Sequence, residues 1–461
     1  MIDRGAYPMP GRVAVIGLAH TGEAVARAVI GHGAGVVAIE DRPREETRRR
    51  ALELGIDLVL SPGREELARV IATCSLVVVS PGVPPSHAVY QIAPRELLVS
   101  EIEFASRLAR VPIIAITGTN GKTSVTTMVD EMMRNSGIAS TAAGNIGPTL
   151  IDAAERTDLD VIVAEVSSFQ LALTETFHPH IATWLNFAED HLDWHDSLED
   201  YRRSKAKIFA NQDEGDVAVV NLDDPMIVGL ARESRARVVT FGHKDADYRT
   251  VGDRFVGPRK RDLGGIDLLA RALPHDIDNA LAALASALEA DADLAGCQQA
   301  LREARVLSHR VEFVREIHGV RFFDDSKATT PSAVMAALRA FPSVVLIAGG
   351  RNKGLDLSAI RDFADQHDAH QIRAVVAIGE NAEEIAGIFA PEYATSEAST
   401  MDDAVANALR LCHPGDVVLL SPGCASFDRY LSYQERGEDF VRAVQALGER
   451  LDAADGLREV C

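Results

Sequence analysis

The stretch IIAITGTNGKTSVTTMVDEMM, residues 113–133, decides the fold. An apolar β-branched run, a glycine turn carrying Lys122 and Thr123, and an amphipathic run follow one another without interruption. In that order they predict a buried strand, a loop of backbone N–H groups, and a helix whose N-terminus faces the loop. Those amides, the helix dipole and the Lys122 ammonium converge on phosphate oxygens, while the Thr123 hydroxyl offers a ligand to Mg²⁺. Gly118, Thr119, Asn120, Gly121, Lys122, Thr123 and Ser124 are therefore the expected cradle for ATP phosphates. The spacing departs from G-x-x-x-x-G-K-[ST], because Ile116 stands where the first glycine belongs. A turn with no ligand would leave Gly-Lys-Thr at a strand–helix junction without a reason.

Outward from this unit the same alternation recurs. VAVIG (13–17), VVAIED (36–41), LVVVS (76–80), VIVAEV (161–166), VAVVN (217–221), VVLIAGG (344–350), AVVAIG (374–379) and VVLLSPG (417–423) are continuous apolar runs between helical stretches. Such runs predict an α/β protein with parallel sheets covered by helices on both faces. At roughly 150 residues per domain, the 461 residues make about three domains. The turn-rich SPGVPPSHAV (80–89) and the junction between NALAALASALEA (279–290) and VEFVREIHGVRFFDDS (311–326) place the expected domains at 1–102, 103–307 and 308–461.

Forty-seven Lys and Arg against 68 Asp and Glu give a net charge of −21, which argues against nucleic-acid or anionic-lipid partners. The acidity is uneven, since residues 1–100 carry 11 acidic and 11 basic side chains. Five cysteines with no C-x-x-C spacing fit neither a disulfide framework nor a thiolate zinc site and point to a reducing compartment. No stretch approaches the ~18 apolar residues of a membrane span, so the expectation is a soluble cytoplasmic protein without membrane insertion.

Several other strand ends and helix starts carry candidates. AEVSSFQL (164–171) puts Glu165 at the end of a strand, and NFAEDHLDWH (186–195) places His191 on a nearby loop. A carboxylate and an imidazole beside a phosphate loop can hold Mg²⁺, although imidazole is an unusual ligand for it and a histidine in an acidic loop is equally a surface residue. LEDYRRSKAKIFAN (198–211) reads as a helix carrying Arg202, Arg203, Lys205 and Lys207. That run is either a solvated basic face or a crowd of cations that favours a neutral amine able to add CO₂. Asn279 opens a long helix and reads equally as a cap. Arg310 can bridge phosphate bidentately, and Asp325, Ser326, Lys327 and Thr329 form a polar loop that also reads as the approach to a helix starting at Thr330-Pro331. Lys353 can neutralise a carboxylate, and Ser426 and Phe427 supply hydroxyl and amide donors after the strand VVLLS. Near the N-terminus, GLAHTG (17–22) is an incomplete G-x-G-x-x-G with Ala19 in the middle, which leaves a dinucleotide-dependent oxidoreductase as a competing reading.

The variant loop TGTNGKT resembles the phosphate loop of the Mur ligase family, the ATP-dependent amide-forming enzymes of bacterial cell-wall precursor synthesis. The resemblance covers nearly the whole chain, and DDSKAT followed shortly by Pro is typical of the branch that adds D-glutamate. It implies an N-terminal Rossmann-like domain for a UDP-linked substrate, a central P-loop ATPase-like parallel sheet for ATP, and a C-terminal Rossmann-like domain for the amino acid. The implied reaction is ATP-dependent addition of D-glutamate to UDP-N-acetylmuramoyl-L-alanine through an acyl phosphate. Thr123, Glu165 and His191 match positions that hold two Mg²⁺ ions, and Lys205 matches a carbamylated lysine that supports the second. Lys122, His191 and Lys205 are thus the implied catalytic set, with His191 supporting metal rather than acting as a base. Asn145 matches a residue near the nucleotide sugar, as do Thr21, Asp41, Arg42 and Ser80, although Arg42 lies in a basic run that reads as solvated surface. Asn279 matches an adenine contact. Arg310, Asp325 and Lys327 match contacts to ATP or the incoming amino acid, and Thr329, Lys353, Ser426, Phe427 and Tyr433 match a D-glutamate pocket. The chain departs from the pattern at Asp276, where an asparagine is usual, and at Gly423, where alanine is usual. The implied partners are small molecules only, acting on a monomer. A sibling ligase for another amino acid such as L-glutamate, a folate-polyglutamylating relative, and a nucleotide-binding regulator without turnover are the alternatives.

Overall fold

The computed structural model describes residues 9–366 and 372–459, so Cys461 lies outside the described residues. The chain divides into two compact units. The first holds the chain up to Phe187 with Trp194–Leu269 and Ile277–Ala304; the second holds Ala188–Asp193, Ala270–Asp276 and the chain from Arg305 onward.

The first unit contains two sheets. One has five parallel strands in the order Asp57–Leu60, Gly35–Glu40, Arg12–Ile16, Leu76–Val79, Leu98–Ser100. The other has nine, in the order Arg261–Gly265, Arg254–Gly257, Tyr248–Val251, Arg237–Gly242, Val217–Asn221, Ile181–Trp184, Ile113–Thr117, Val161–Glu165, Ser140–Gly144. Its six strands from Arg237–Gly242 to Ser140–Gly144 are parallel, and the inner four are almost fully buried, as continuous apolar strands between two helical layers must be. The expectation of parallel strands alone is corrected at the far edge, where the last three form an antiparallel meander. Short links such as Gly252–Asp253 leave no room for a crossover helix, so those strands must reverse direction.

The sequence-based boundary at 102/103 falls inside the helix Glu101–Leu108. That helix carries two buried carboxylates. Glu101 accepts the Ile151 N–H at 2.7 Å, and Glu103 accepts from the N–H groups of Glu175, Thr176 and Phe177 and from the Thr176 hydroxyl. Burial pushes Glu101 up to about 7. Glu103 is held below the ordinary range because the Thr176 hydroxyl, the Glu175 amide and Arg107 outweigh its burial.

The second unit is a six-stranded sheet in the order Glu312–Ile317, Val320–Asp324, Val417–Leu420, Val344–Gly349, Ile372–Ile378, Ala394–Ala398. Only the first pair is antiparallel. Its parallel strands end together, and their carboxyl edge gathers the loops after Asp324, Gly349 and Leu420.

Candidate functional site

In the first unit the site is built on three neighbouring strand ends. Ile113–Thr117 lies between Val161–Glu165 and Ile181–Trp184, with Ile116 opposite Glu165 and Thr117 opposite Trp184. Parallel register therefore delivers the 118–121 loop, Glu165 and Asn186 to one edge, where doubly wound sheets place their ligands. The helix Lys122–Asn135 begins at Lys122, with Thr123 and Ser124 in its first turn. Gly121 is required twice over: its φ of 84° is left-handed, and a Cβ there would sit 2.5 Å from Asn279 Oδ1. Asn279 thus lies against the phosphate loop. Lys122 Nζ donates to the carbonyls of Gly118 (2.8 Å) and Thr119 (2.9 Å), curling over the turn it serves.

Asn186, which the sequence reading missed, fastens this loop. Its Oδ1 accepts the N–H groups of Thr119 (3.1 Å) and Asn120 (2.9 Å), and its Nδ2 donates to Asn120 O. The signal was its place just past the strand Ile181–Trp184 at the same edge.

Glu165 is 2 % exposed. Its Oε1 accepts from Asn145 Nδ2 at 2.7 Å, whereas Oε2 is buried and has no hydrogen-bond partner among the described residues. A buried, unmatched carboxylate oxygen is costly unless something binds it. A hard divalent cation such as Mg²⁺ takes oxygen ligands of this kind, so the residues present fit the metal.

Lys205 is 1 % exposed, its Nζ donating to Gly118 O (2.9 Å) and Thr117 Oγ1 (3.4 Å) and lying 4.9 Å from the Tyr201 ring centre. Of the two readings of this run the crowd of cations is not formed: Arg202 and Arg203 pair with Glu199, and Lys207 reaches Ala172 O and Thr174 O. Helical spacing explains this, since positions 202 and 203 share the face of Glu199 at i+3 and i+4. Burial lowers the Lys207 pKa, with Arg95 adding to the effect. Behind Lys205, His195 is hydrogen-bonded to Asp200 (2.9 Å) and Ser168 (3.0 Å). Ser168 and His195 are buried, so this Ser-His-Asp alignment braces the helix Leu198–Ala206 rather than facing a substrate.

At the five-stranded sheet, Thr21 lies in the first turn of the helix His20–Gly31. Ser80 donates to Gly17 O at 3.0 Å. Asp41 pairs with His87 at 2.8 Å, and Arg42 is exposed. Arg50, a member of the basic run that begins at Arg42, is not solvated surface but donates to Leu18 O and pairs with Glu23 and Glu46.

The second unit collects its own charged loops. His191 pairs with Asp190 (3.2 Å), and Lys353 reaches the other oxygen of Asp190 at 3.6 Å, so a buried aspartate that sequence reading passed over joins two predicted residues. Arg271 holds Asp276 bidentately (2.7 and 2.8 Å) and donates to the carbonyls of Arg310 and Val311. Asp276 therefore has a supporting role under the Arg310 segment.

Asp325 accepts from Ser421 Oγ (2.7 Å) and Val311 N–H (3.2 Å), and burial pushes it up to about 7. Lys327 Nζ lies 3.9 Å from the Tyr433 ring centre, a cation–π contact. Thr329 is half-buried; Thr330 caps the helix Pro331–Leu338, so the loop and cap readings hold at adjacent residues. Ser426 is buried and Phe427 is 64 % exposed. Arg436, unmarked by sequence reading, is 1 % exposed and donates to Ser326 Oγ, Ser326 O and Cys424 O, tying together the loops after Asp324 and Leu420. Burial lowers its pKa to about 10. Its signal was helical spacing, since Arg436, Phe440 and Val444 share one buried face.

A glycine-lysine phosphate loop beside an open buried carboxylate on a parallel sheet defines a nucleotide-phosphate-binding α/β enzyme. Family profiles for "Mur ligase middle domain" and "Mur ligase, glutamate ligase domain" match residues 116–287 and 309–424. The UDP-N-acetylmuramoylalanine--D-glutamate ligase of Geotalea daltonii is 38% identical over 450 residues, covering 95% of this chain and 97% of that protein. The enzyme of the same name from Trichlorobacter lovleyi is 39% identical over 451 residues, covering 95% and 99%. Among solved structures, the MurF ligase of Thermotoga maritima in complex with ADP superposes with a TM-score of 0.59 at 15% identity, covering 89% of this chain and 95% of that one, a likeness of fold. The chain belongs to the Mur ligase family.

Proposed function

We propose that this protein is an ATP-dependent carbon–nitrogen ligase that joins D-glutamate to UDP-N-acetylmuramoyl-L-alanine in cell-wall precursor synthesis. One observation carries the chemistry: the Lys122 loop and a buried Glu165 oxygen with no hydrogen-bond partner among the described residues end neighbouring strands at one sheet edge. The choice of substrates rests on the name carried by relatives that match the chain end to end.

An amide does not form from a carboxylate and an amine in water until the carboxyl is activated. Transfer of the ATP γ-phosphoryl to the carboxylate of the nucleotide sugar makes an acyl phosphate and ADP. The D-glutamate amine then attacks that carbonyl, and the tetrahedral intermediate expels phosphate and loses a proton. In this reading the loop amides from Gly118 to Ser124 and the Lys122 ammonium hold the phosphates, and Asn279 meets adenine. Arg310, Asp325 and Lys327 face ATP or the amino acid. Thr329, Lys353, Ser426, Phe427 and Tyr433 line the D-glutamate pocket, and Thr21, Asp41, Arg42, Ser80 and Asn145 take the nucleotide sugar. Thr123, Glu165, His191 and a carbamylated Lys205 would hold two Mg²⁺ ions. When bound, the ions spread the charge of the transferring phosphoryl group. Lys205 gains its carbamate by adding CO₂ at the neutral amine and releasing a proton.

The working arrangement is three domains, 1–102, 103–307 and 308–461, with Rossmann-like ends and a P-loop ATPase-like centre, acting as a cytoplasmic monomer. Three separate sheets support the division, and no helix among the described residues is long and apolar enough to cross a membrane. The test is phosphate release by purified protein with ATP, Mg²⁺, UDP-N-acetylmuramoyl-L-alanine and a panel of amino acids. Release should depend on D-glutamate; release with L-glutamate alone, or none at all, overturns the reading.

A further inference from the structure

At the opposite edge of the nine-stranded sheet, four titratable side chains meet just before two central strands begin. Val217 is in register with Ile181, so segments 178–180 and 213–216 arrive side by side. Asp216 is 4 % exposed, and its two oxygens are divided between two histidines: Oδ2 is hydrogen-bonded with His178 Nε2, and Oδ1 lies 3.0 Å from His180 Nδ1. One ligand atom each from His178, Asp213 and Asp216 lie within 4.8 Å of one another.

A second observation comes from Gln212, which is also 4 % exposed. Its Nε2 donates to Pro179 O (3.2 Å) and Val217 O (3.0 Å), anchoring the amide between the two segments. Its Oε1 is buried and has no hydrogen-bond partner among the described residues. An oxygen left unmatched there adds acceptor capacity that the protein itself does not use.

We propose that His178, Asp213 and Asp216 form a binding site for a divalent transition metal of the zinc class, separate from the phosphate site. One imidazole nitrogen and two carboxylates match the mixed nitrogen and oxygen sets that zinc accepts, and two negative charges balance the ion. Mg²⁺, which favours oxygen ligands in near-octahedral geometry, is the poorer fit. The outer contacts are also in place. His180 engages the second oxygen of Asp216, and the Gly215 N–H donates to Asp213 Oδ1 at 2.8 Å, orienting both carboxylates. The metal takes the Nε2 lone pair of His178 in place of the hydrogen bond to Asp216, so protons compete with the ion and binding weakens as pH falls. The site lies at the amino ends of Ile181–Trp184 and Val217–Asn221, whereas the phosphate loop follows the carboxyl end of the parallel neighbour Ile113–Thr117, so its effect falls on stability.

The experiment is zinc titration calorimetry and thermal melting of the full-length protein saturated with Mg²⁺, alongside His178→Ala and the exposed, conservative Asp213→Asn. Zn²⁺ should raise the melting temperature of the unmodified protein. In each variant its dissociation constant should rise by at least the ~10–100-fold that outer-shell changes produce, and the melting shift should vanish. Equal Zn²⁺ binding by all three proteins, or none by the unmodified one, overturns the proposal. Because the readout is metal affinity, failure here leaves the ligase reading untouched.

Discussion

The turn after Ile16 and the turn after Thr117 share a backbone plan. Each follows a buried parallel strand, contains glycine in left-handed conformation and feeds a helix. In the first, Glu40 supplies the fastening: its Oε2 accepts the Leu18 N–H at 3.1 Å and its Oε1 the Arg42 N–H at 3.1 Å. In the second, the neutral Asn186 amide does that work and Lys122 adds a cation. An anion approaching the first turn meets a carboxylate; an anion approaching the second meets an ammonium. The difference teaches that the strand–turn–helix frame does not set ligand charge, which comes from side chains placed in or beside the turn, Glu40 at a neighbouring strand end in one case and Lys122 at the helix start in the other. It also explains why an incomplete glycine fingerprint at residues 17–22 is poor support for a dinucleotide coenzyme.

The strongest way to break the comparison is to remove the cation. Lys122→Met should lower kcat by ~10²–10³-fold or more, the scale of losing one preorganised donor to developing charge. Thermal melting should move far less than turnover, because Gly118 O, one of the two carbonyls that Lys122 Nζ reaches, keeps Lys205 as a donor. Near-normal turnover would mean that the second turn is as passive as the first. Lys205→Ala comes next. It should lose most activity and also ~1–3 kcal/mol of stability, since the buried acceptors Gly118 O and Thr117 Oγ1 each lose one donor. Partial recovery of turnover with formate or acetate, without recovery of stability, would identify the missing group as a carboxylate and so test the carbamate.

How much of this was legible depended on spacing in the chain. The phosphate loop, Glu165 and the apolar strands could be read because strand, turn and helix are contiguous, and a run such as VIVAEV has few alternatives. Asn186, Asp190 and Arg436 were harder to read as site residues, because each has a partner distant in sequence. Asn186 acts on a loop 66 positions away and Arg436 on one 110 positions away. The cation crowd at 202–207 failed for a different reason. Arg202 and Arg203 are drawn to Glu199 one turn back while Lys205 is buried, so a basic run in sequence is not a basic cluster in space. The break placed near residue 102 falls inside the helix Glu101–Leu108, because turn-rich composition marks a surface loop as readily as a boundary, and the buried carboxylates of Glu101 and Glu103 give no sign of burial in the sequence.

A smaller effect separates buried acids from open ones. Asp325 titrates near 7 in the folded chain because burial outweighs the Ser421 hydroxyl and the Val311 amide. Its unfolded value is about 3.9. From about pH 4 to 7 the folded carboxyl holds a proton that the unfolded one has lost, so its contribution to stability declines as pH rises and is fully unfavourable above 7. Asp325→Asn removes that dependence. Denaturant melts at pH 5, 6.5 and 8 should show the variant gaining on the unmodified protein as pH rises, by up to a few kcal/mol, while ligase activity falls at every pH. A constant difference across the range would show that Asp325 is ionised in the fold.

The finest test returns to the first turn. Glu40→Gln keeps an acceptor for the Leu18 N–H and removes the charge, while the Arg42 N–H loses its acceptor. That change should cost about 1 kcal/mol of stability and leave kcat at saturating substrate alone. If the nucleotide sugar brings its diphosphate to this turn, removing a like charge should lower its KM by a few-fold, since one unit of charge at ~4 Å in water is worth ~1 kcal/mol. A raised KM would mean that the Glu40 carboxylate accepts hydrogen bonds from the substrate. The first turn would then recognise hydroxyl groups, and the two turns would differ in the kind of ligand they bind as well as in charge.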